Sequence, residues 1–288
     1  MDQVEQLITD HKIPVGEAGA AAFNWFTATF QPIFDFITNK VGWLMDSSTT
    51  GLEAVPPLIF IAAVAALAYW IQRTWRIVVL VIVCLLFVLN QGLWQPTMET
   101  TVLVVYSTFV SLLIGIPVGI LCARRPKLYV ALSPLLDMMQ VIPTFVYLVP
   151  ALLLFGLGMV PALVATVIFA VALPIRTTYV GVSEVNKALV EAGESFGCTG
   201  WQLLMKVRIP AALPTIMIGV NQTIMLCLSM VVIAALVGAP GLGVSVVRAL
   251  SQMNTALGIE GGLGIVVVAI VLDRILKRRV RARARSKT

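Results

Sequence analysis

Few side chains in this sequence have the type and spacing that chemistry needs. The one histidine, His11, stands in a polar stretch, which leaves too few ligands for a zinc centre and no base for a serine nucleophile; it reads as a solvated surface residue. Cys84, Cys122, Cys198 and Cys227 are scattered singly with no C-x-x-C pair, so neither a metal site nor a disulfide framework is indicated. No G-x-x-x-x-G-K-S/T loop occurs, and Gly241-Leu242-Gly243 lacks the lysine and the strand-to-helix setting of a phosphate cradle. What remains is a handful of polar groups set inside apolar sequence. Asp137 is the sharpest case, because an unpaired charge at the centre of a membrane helix costs about 2.5 to 3.5 kcal/mol on insertion scales. It has two readings: a pathway residue that attracts a cation, or a structural partner for Arg124, Arg125 or Arg176. Tyr147, Phe145 and Tyr179 have faces suited to a quaternary ammonium group, or simply pack. Asn221 and Gln222 suit pore lining or interhelix hydrogen bonds, and Pro143, Pro150 and Pro174 allow helix bends.

The elements that must position these groups are membrane helices. Hydrophobic residues make up 59% of the 288 positions and charged residues only 12%, against roughly 25% charged in an average soluble domain. The apolar residues come in unbroken blocks rather than alternating faces, near the spanning length of about 17 to 25 residues. Seven such blocks predict spans at about Glu53–Trp70, Ile77–Trp94, Thr100–Ala123, Leu128–Phe155, Ala162–Ile175, Ala211–Val237 and Gly258–Leu276. The fold class is therefore all-α, a polytopic membrane protein. Arg73 and Arg76, then Arg124, Arg125 and Lys127, then Arg176, Lys187, Lys206 and Arg208, then the C-terminal tail fall on one side, which the positive-inside rule makes cytoplasmic. The N-terminus is then outside and the C-terminus inside, the expected topology of a multi-pass plasma (inner) membrane protein.

The formal net charge is +6, but eight of the twenty basic residues lie between Arg274 and Lys287. Basic residues just beyond a span fit anionic headgroups better than nucleic acid. The segment 1–52 begins with acidic residues where a cleaved signal peptide needs positive charge. Within it, Phe23, Trp25, Phe26, Phe30, Ile33, Phe34 and Ile37 repeat at helical spacing, interrupted by Pro32 and Asp35. This predicts a helix lying in the membrane interface or packed on the protein. Domain boundaries follow: 1–52 extracytoplasmic, 53–94 two accessory spans, 95–275 a five-helix core, and 276–288 a basic cytoplasmic tail.

Inside the core, the polar stretch 176–210 is too long for a turn. Ser183 to Phe196 reads as a short helix running into Gly197, a residue able to take the left-handed conformation that ends a helix. Thr199 with Gln202 forms a capping-box pattern, so a second short helix is expected from Gly200, stopping at Pro210.

The run Glu191-Ala192-Gly193, then Gly197, then Val207-x-Ile209-Pro210 resembles the cytoplasmic "EAA" loop of permease subunits in binding-protein-dependent ABC importers. Gly193 stands where the family usually has a second alanine and Ile209 where it has leucine. The flanks, Asp137-Met138-Met139-Gln140, Pro143-Thr144-Phe145-Val146-Tyr147, Gly219-Val220-Asn221-Gln222 and Leu228-Ser229-Met230, resemble the permeases of glycine betaine, proline betaine and choline importers. The resemblance covers about Pro96 to Arg274 and implies a type I importer core. It also implies a transport subunit without ATPase activity of its own, with ATP and magnesium bound by a partner ATPase and no cofactor on this chain. The partner ATPase would dock on a coupling loop containing Glu191, Ala192, Gly193, Gly197, Ile209 and Pro210. An external binding protein and a second permease copy complete the implied assembly, with Asp137, Tyr147, Asn221 and Gln222 as candidate pathway residues. The alternative is an ion-coupled secondary transporter, which needs more ionisable groups in the spans than Asp137 supplies.

Overall fold

A computed structural model describes residues 15–276; His11 and the tail beyond Leu276 lie outside the described residues. Among those residues there is no strand, and the chain runs as helices joined by short turns. The helices are α1 (Val15–Glu53), α2 (Pro57–Gln72), α3 (Trp75–Asn90), α4 (Trp94–Arg124), α5 (Pro126–Val141), α6 (Thr144–Phe155), α7 (Met159–Ser183), α8 (Lys187–Ser195) and α9 (Gly200–Leu203). A π-helical turn, Leu204–Arg208, then leads into α10 (Ile209–Ser229), followed by α11 (Val231–Ala235), α12 (Leu242–Gln252) and α13 (Thr255–Leu276).

Four continuous stretches are long and apolar enough to cross a membrane: α4, α7, the run from α9 through α11, and α13. The α1/α2 and α5/α6 pairs pass the same test only as bent units, with bends of 101° and 95°. By length and composition the described residues hold four spans, or up to six if each bent pair is one span, with α3 a shorter apolar helix beside them, against about seven expected. The expected span Leu128–Phe155 is the clearest departure. Its chain turns at Ile142 (φ −63, ψ 129) and Pro143, because a proline pushes the preceding residue out of the helical region and supplies no N–H to continue the ladder. Helices α2 and α3, at 16 residues each, are only about 24 Å long. They pack as a hairpin on α13.

α7 is the centre of the bundle, with 72% of its apolar window buried. It packs most extensively on α4, and the sequence of α4 explains why. Ser107, Ser111, Gly115 and Gly119 recur at four-residue spacing and are all buried, so they form one small-residue stripe that lets two helix backbones approach. A Cβ on Gly115 would lie 2.6 Å from Pro174 Cγ, and one on Gly119 would lie 2.7 Å from the Ile175 carbonyl oxygen. On the other flank of α7, Gly219 of α10 leaves room for Thr177, and Gly181 for Thr215.

The N-terminal stretch is one helix of 39 residues rather than a pattern broken at Pro32. Pro32 and Ala28 are both exposed, so the carbonyl that the proline leaves without its usual donor is not trapped inside the protein. The far half of α1 joins the core. Met45 is fully buried, Ser48 Oγ and the Tyr106 hydroxyl lie 2.8 Å apart, and Phe34 meets Phe155 edge-on at 5.5 Å.

Two contacts fix which loops share an end of the bundle. The Gln72 side-chain amide donates to the carbonyl of Arg274 at 2.7 Å, placing the Arg73 turn beside the end of α13. The Arg124 guanidinium sits over the Trp201 ring at 5.6 Å, placing the α4–α5 turn beside the polar loop.

Candidate functional site

The polar loop is built as two arms around one sharp turn. α8 starts at Asn186, whose side-chain oxygen accepts the Ala188 N–H at 2.9 Å, satisfying one of the donors that a helix start leaves free. It ends at Gly197, with φ +75. The Cys198 N–H donates to the Gly193 carbonyl at 3.1 Å and the Gly197 N–H to the Glu194 carbonyl at 2.9 Å, the paired bonds of a Schellman motif. Thr199 then opens the next helix with a full capping box: its N–H donates to Gln202 Oε1 at 2.9 Å, and its hydroxyl accepts from the Gln202 N–H at 3.4 Å. Helix, left-handed turn and capped helix leave almost no slack in the backbone.

The second arm does not stop at Pro210 as its sequence suggests. It continues through the π turn into α10, with the Ile209 N–H bonded to the Leu204 carbonyl five residues back. A proline ring clashes with the carbonyl four residues before it, and a widened turn just ahead of Pro210 relieves that conflict. The consequence is mechanical: the loop arm and a membrane helix form one continuous rod from Gly200 to Ala235.

Gly193 is where the arms touch. It is buried, and a Cβ there would lie 2.6 Å from Leu203 Cδ1 and 3.3 Å from Val207 Cγ2. A glycine in place of the alanine usual at this motif position thus has a local reason, the close seat of Leu203. Glu191 and Glu194 border a cavity of about 320 Å³ with Lys187 and Arg208, between the arms and the end of α7. Outward, the loop presents large apolar side chains to solvent: Leu189, Phe196, Trp201 and Met205, with Phe196 89% exposed. Such a crest on an otherwise polar turn marks a surface made to be covered by another protein.

The candidate pathway residues are not gathered at one point. Asp137 on α5 pairs with Arg176 on α7, with Oδ1 to Nη2 at 2.5 Å, one of the three arginines the sequence offers it. Tyr147 donates its hydroxyl to the Met139 carbonyl at 2.8 Å, so it ties α6 back to α5 across the 95° bend. Tyr179 stacks on Tyr129 at 3.5 Å between ring centres, a second tie between α7 and α5. Phe145 is exposed on α6, as is Gln222 on α10. Asn221 is half-buried, with its side-chain oxygen inside the protein and unpartnered. The small-residue stripe on α4 and the Arg124–Trp201 contact were missed by reading the sequence for polar groups. The four-residue spacing of Ser107, Ser111, Gly115 and Gly119 was the signal for the first; the second joins residues too far apart in the chain to leave one.

Residues 115–284 match the family described as "Binding-protein-dependent transport system inner membrane component". The chain is 43% identical over 264 residues to the glycine betaine transport system permease protein OpuAB of Bacillus subtilis, covering 92% of this chain and 93% of that one. It is 40% identical over 263 residues to the glycine betaine/proline betaine permease ProW of Escherichia coli, covering 91% and 74% of the respective chains. Among solved structures, an inward-facing form of the MetNI methionine ABC transporter aligns with a TM-score of 0.55 at 26% identity, over 62% of this chain and 91% of that one.

Proposed function

Because the chain belongs to the family of binding-protein-dependent transport system inner membrane components, it is a multi-pass permease subunit of an ABC importer, and we propose that it carries small quaternary ammonium solutes. Glycine betaine and proline betaine are the leading cargoes, with choline of the same chemical class. A permease of this kind works with an ATPase subunit and a substrate-binding protein. The ion-coupled alternative falls with the family membership.

The observation that carries the mechanism is the two-armed loop with its exposed crest. Leu189, Phe196, Trp201 and Met205 would seat in the partner ATPase on the cytoplasmic side, where ATP and magnesium are held. The Schellman turn and the capping box keep the crest at a fixed angle. Because the second arm is continuous with α10, movement of the ATPase surface is passed directly to a membrane helix; a flexible loop would absorb it. Two permease copies would face each other across the path, open inward before ATP binding and outward after it. In this arrangement the N-terminus is outside, the Arg73, Arg124 and coupling-loop turns are cytoplasmic, and α1 lies along the outer part of the assembly.

The test is uptake of labelled glycine betaine and choline by proteoliposomes that hold this permease with its ATPase and binding protein. Uptake that requires ATP and the binding protein is the expected result, and the two labels rank the cargoes. Uptake indifferent to ATP, or absent for both solutes, would refute the reading.

A further inference from the structure

The two sides of α8 carry different chemistry. Leu189 and Phe196 share the side that forms the exposed crest, whereas Lys187, Glu191 and Glu194 follow one another at i, i+4 and i+7 on another side. At about 100° per residue the two sides are nearly opposite, so a partner seated on the crest leaves the charged side of α8 free. Arg208 of the second arm borders the same cavity as these charges. Trp201 and Arg208 are seven residues apart, which in an uninterrupted α-helix would put both on the crest. The π turn between them, Leu204–Arg208, takes up about one extra residue and turns Arg208 off that side.

The cavity these residues border, about 320 Å³, is of the size that takes a small solute. It brings together two carboxylates, Glu191 and Glu194, and two cations, Lys187 and Arg208, with Val185 and Val190 as apolar wall. Lys187 and Glu191 have the spacing of a helix ion pair, yet among the described residues none of the four makes one. The charges therefore face the cavity without cancelling each other at contact distance. Two carboxylates disfavour phosphates and simple anions, and two cations disfavour metal ions and simple cations. A small zwitterion finds an opposite charge at both ends. Its carboxylate takes N–H donors from Lys187 and Arg208. A quaternary ammonium end, which donates no hydrogen bond, takes the field of the two glutamates and rests its methyl groups on the valines.

We propose that this cavity is a feedback site, at which cargo released on the inner side binds between α8, the second arm and the end of α7 and slows the importer. This rests on the betaine reading and on the cytoplasmic placing of the loop given above. The second arm is continuous with α10, so the elements around the cavity are those that pass movement from the ATPase to the membrane helices. A ligand that bridges them in one arrangement of the loop favours that arrangement over the others. Charges in an open, solvated cavity hold a ligand weakly. The site therefore fills only once solute has accumulated, which is when further import has no use.

The experiment uses the complete importer in proteoliposomes, with ATP in the lumen and binding protein and labelled glycine betaine outside. Initial uptake is compared between lumens loaded with unlabelled glycine betaine and lumens loaded with sucrose at equal osmolality. Luminal glycine betaine is expected to slow the native rate about fivefold, at the low end of the usual coupling between two sites. Glu194→Gln and Lys187→Gln leave the backbone bonds of the Schellman turn in place, so their rates with sucrose should stay within about twofold of native, and the slowing by luminal betaine should be lost. A native rate indifferent to luminal betaine overturns the proposal, as do variants slowed as much as the native chain. Where a variant loses uptake with sucrose, saturation-transfer NMR of glycine betaine on the permease–ATPase complex without binding protein takes its place: weaker transfer in the variant is expected, and equal transfer overturns the site. The uptake comparison is repeated in lipids without ethanolamine headgroups, which carry the same two charges. Slowing that persists there supports the released cargo; slowing that needs those lipids assigns the cavity to a headgroup and overturns feedback by cargo. Absence of betaine uptake by the native importer with sucrose inside would instead refute the transport reading on which the proposal rests.

Discussion

Replacing Gly197 tests whether the coupling loop works through a fixed backbone turn. Its φ is +75, and an added Cβ would have nothing within 4 Å, so any penalty comes from conformation rather than crowding. A left-handed residue with a side chain costs about 1 to 2 kcal/mol, with asparagine the exception among ordinary residues. The chain has one escape, which is to open the turn and give up the Cys198-to-Gly193 and Gly197-to-Glu194 bonds. At about 0.5 to 1.5 kcal/mol each, that escape costs a similar amount, so the penalty is capped near 1 to 3 kcal/mol by either route. A graded series follows: Gly197→Asn nearly silent, Gly197→Ala about 1 kcal/mol, Gly197→Val about 2 kcal/mol. Hydrogen exchange at the α8 amides of the assembled importer should quicken by about fivefold for alanine and thirtyfold for valine, following the usual conversion of energy to population. ATP-driven uptake should fall in the same order. If asparagine is as damaging as valine, or if alanine and valine are both silent, the turn conformation is not what the loop depends on.

Other outcomes follow from single contacts. Gly119→Ala puts a methyl 2.7 Å from the Ile175 carbonyl oxygen and should destabilise the α4–α7 crossing by about 1 to 3 kcal/mol. Gly262→Ala, in α13 with nothing within 4 Å, should be neutral or stabilising by up to about 1 kcal/mol; chemical unfolding in detergent compares the two. Tyr147→Phe removes the bond to the Met139 carbonyl and should cost about 0.5 to 1.5 kcal/mol in the same assay. Phe196→Ser should leave the permease's own unfolding within about 0.5 kcal/mol while weakening its complex with the ATPase at least about thirtyfold, as truncation of an interface anchor does; titration of labelled ATPase reads this directly.

The turn and caps of the two-armed loop were legible in the sequence because their determinants are local. Gly197 supplies the positive φ, Thr199 and Gln202 lie within one turn of each other, and each makes the bonds its residue type suggests. Pro210 misled for the opposite reason. Whether a proline ends a helix depends on the turn before it, and the π turn at Leu204–Arg208 has no local motif that announces it. Pro143 and Pro174 show the same limit from both sides. Each interrupts an apolar run, yet the chain bends by 95° at the first and continues as one helix through the second, where Gly115 packs against the proline ring. At Pro174 a neighbour covers the gap and the helix continues. For Pro174 that neighbour is the small-residue face of α4, some sixty positions earlier in the chain. The same logic settles Asp137: its cost in the membrane was readable from its setting alone, but the choice of Arg176 over Arg124 and Arg125 was fixed only when α5 folded back onto α7.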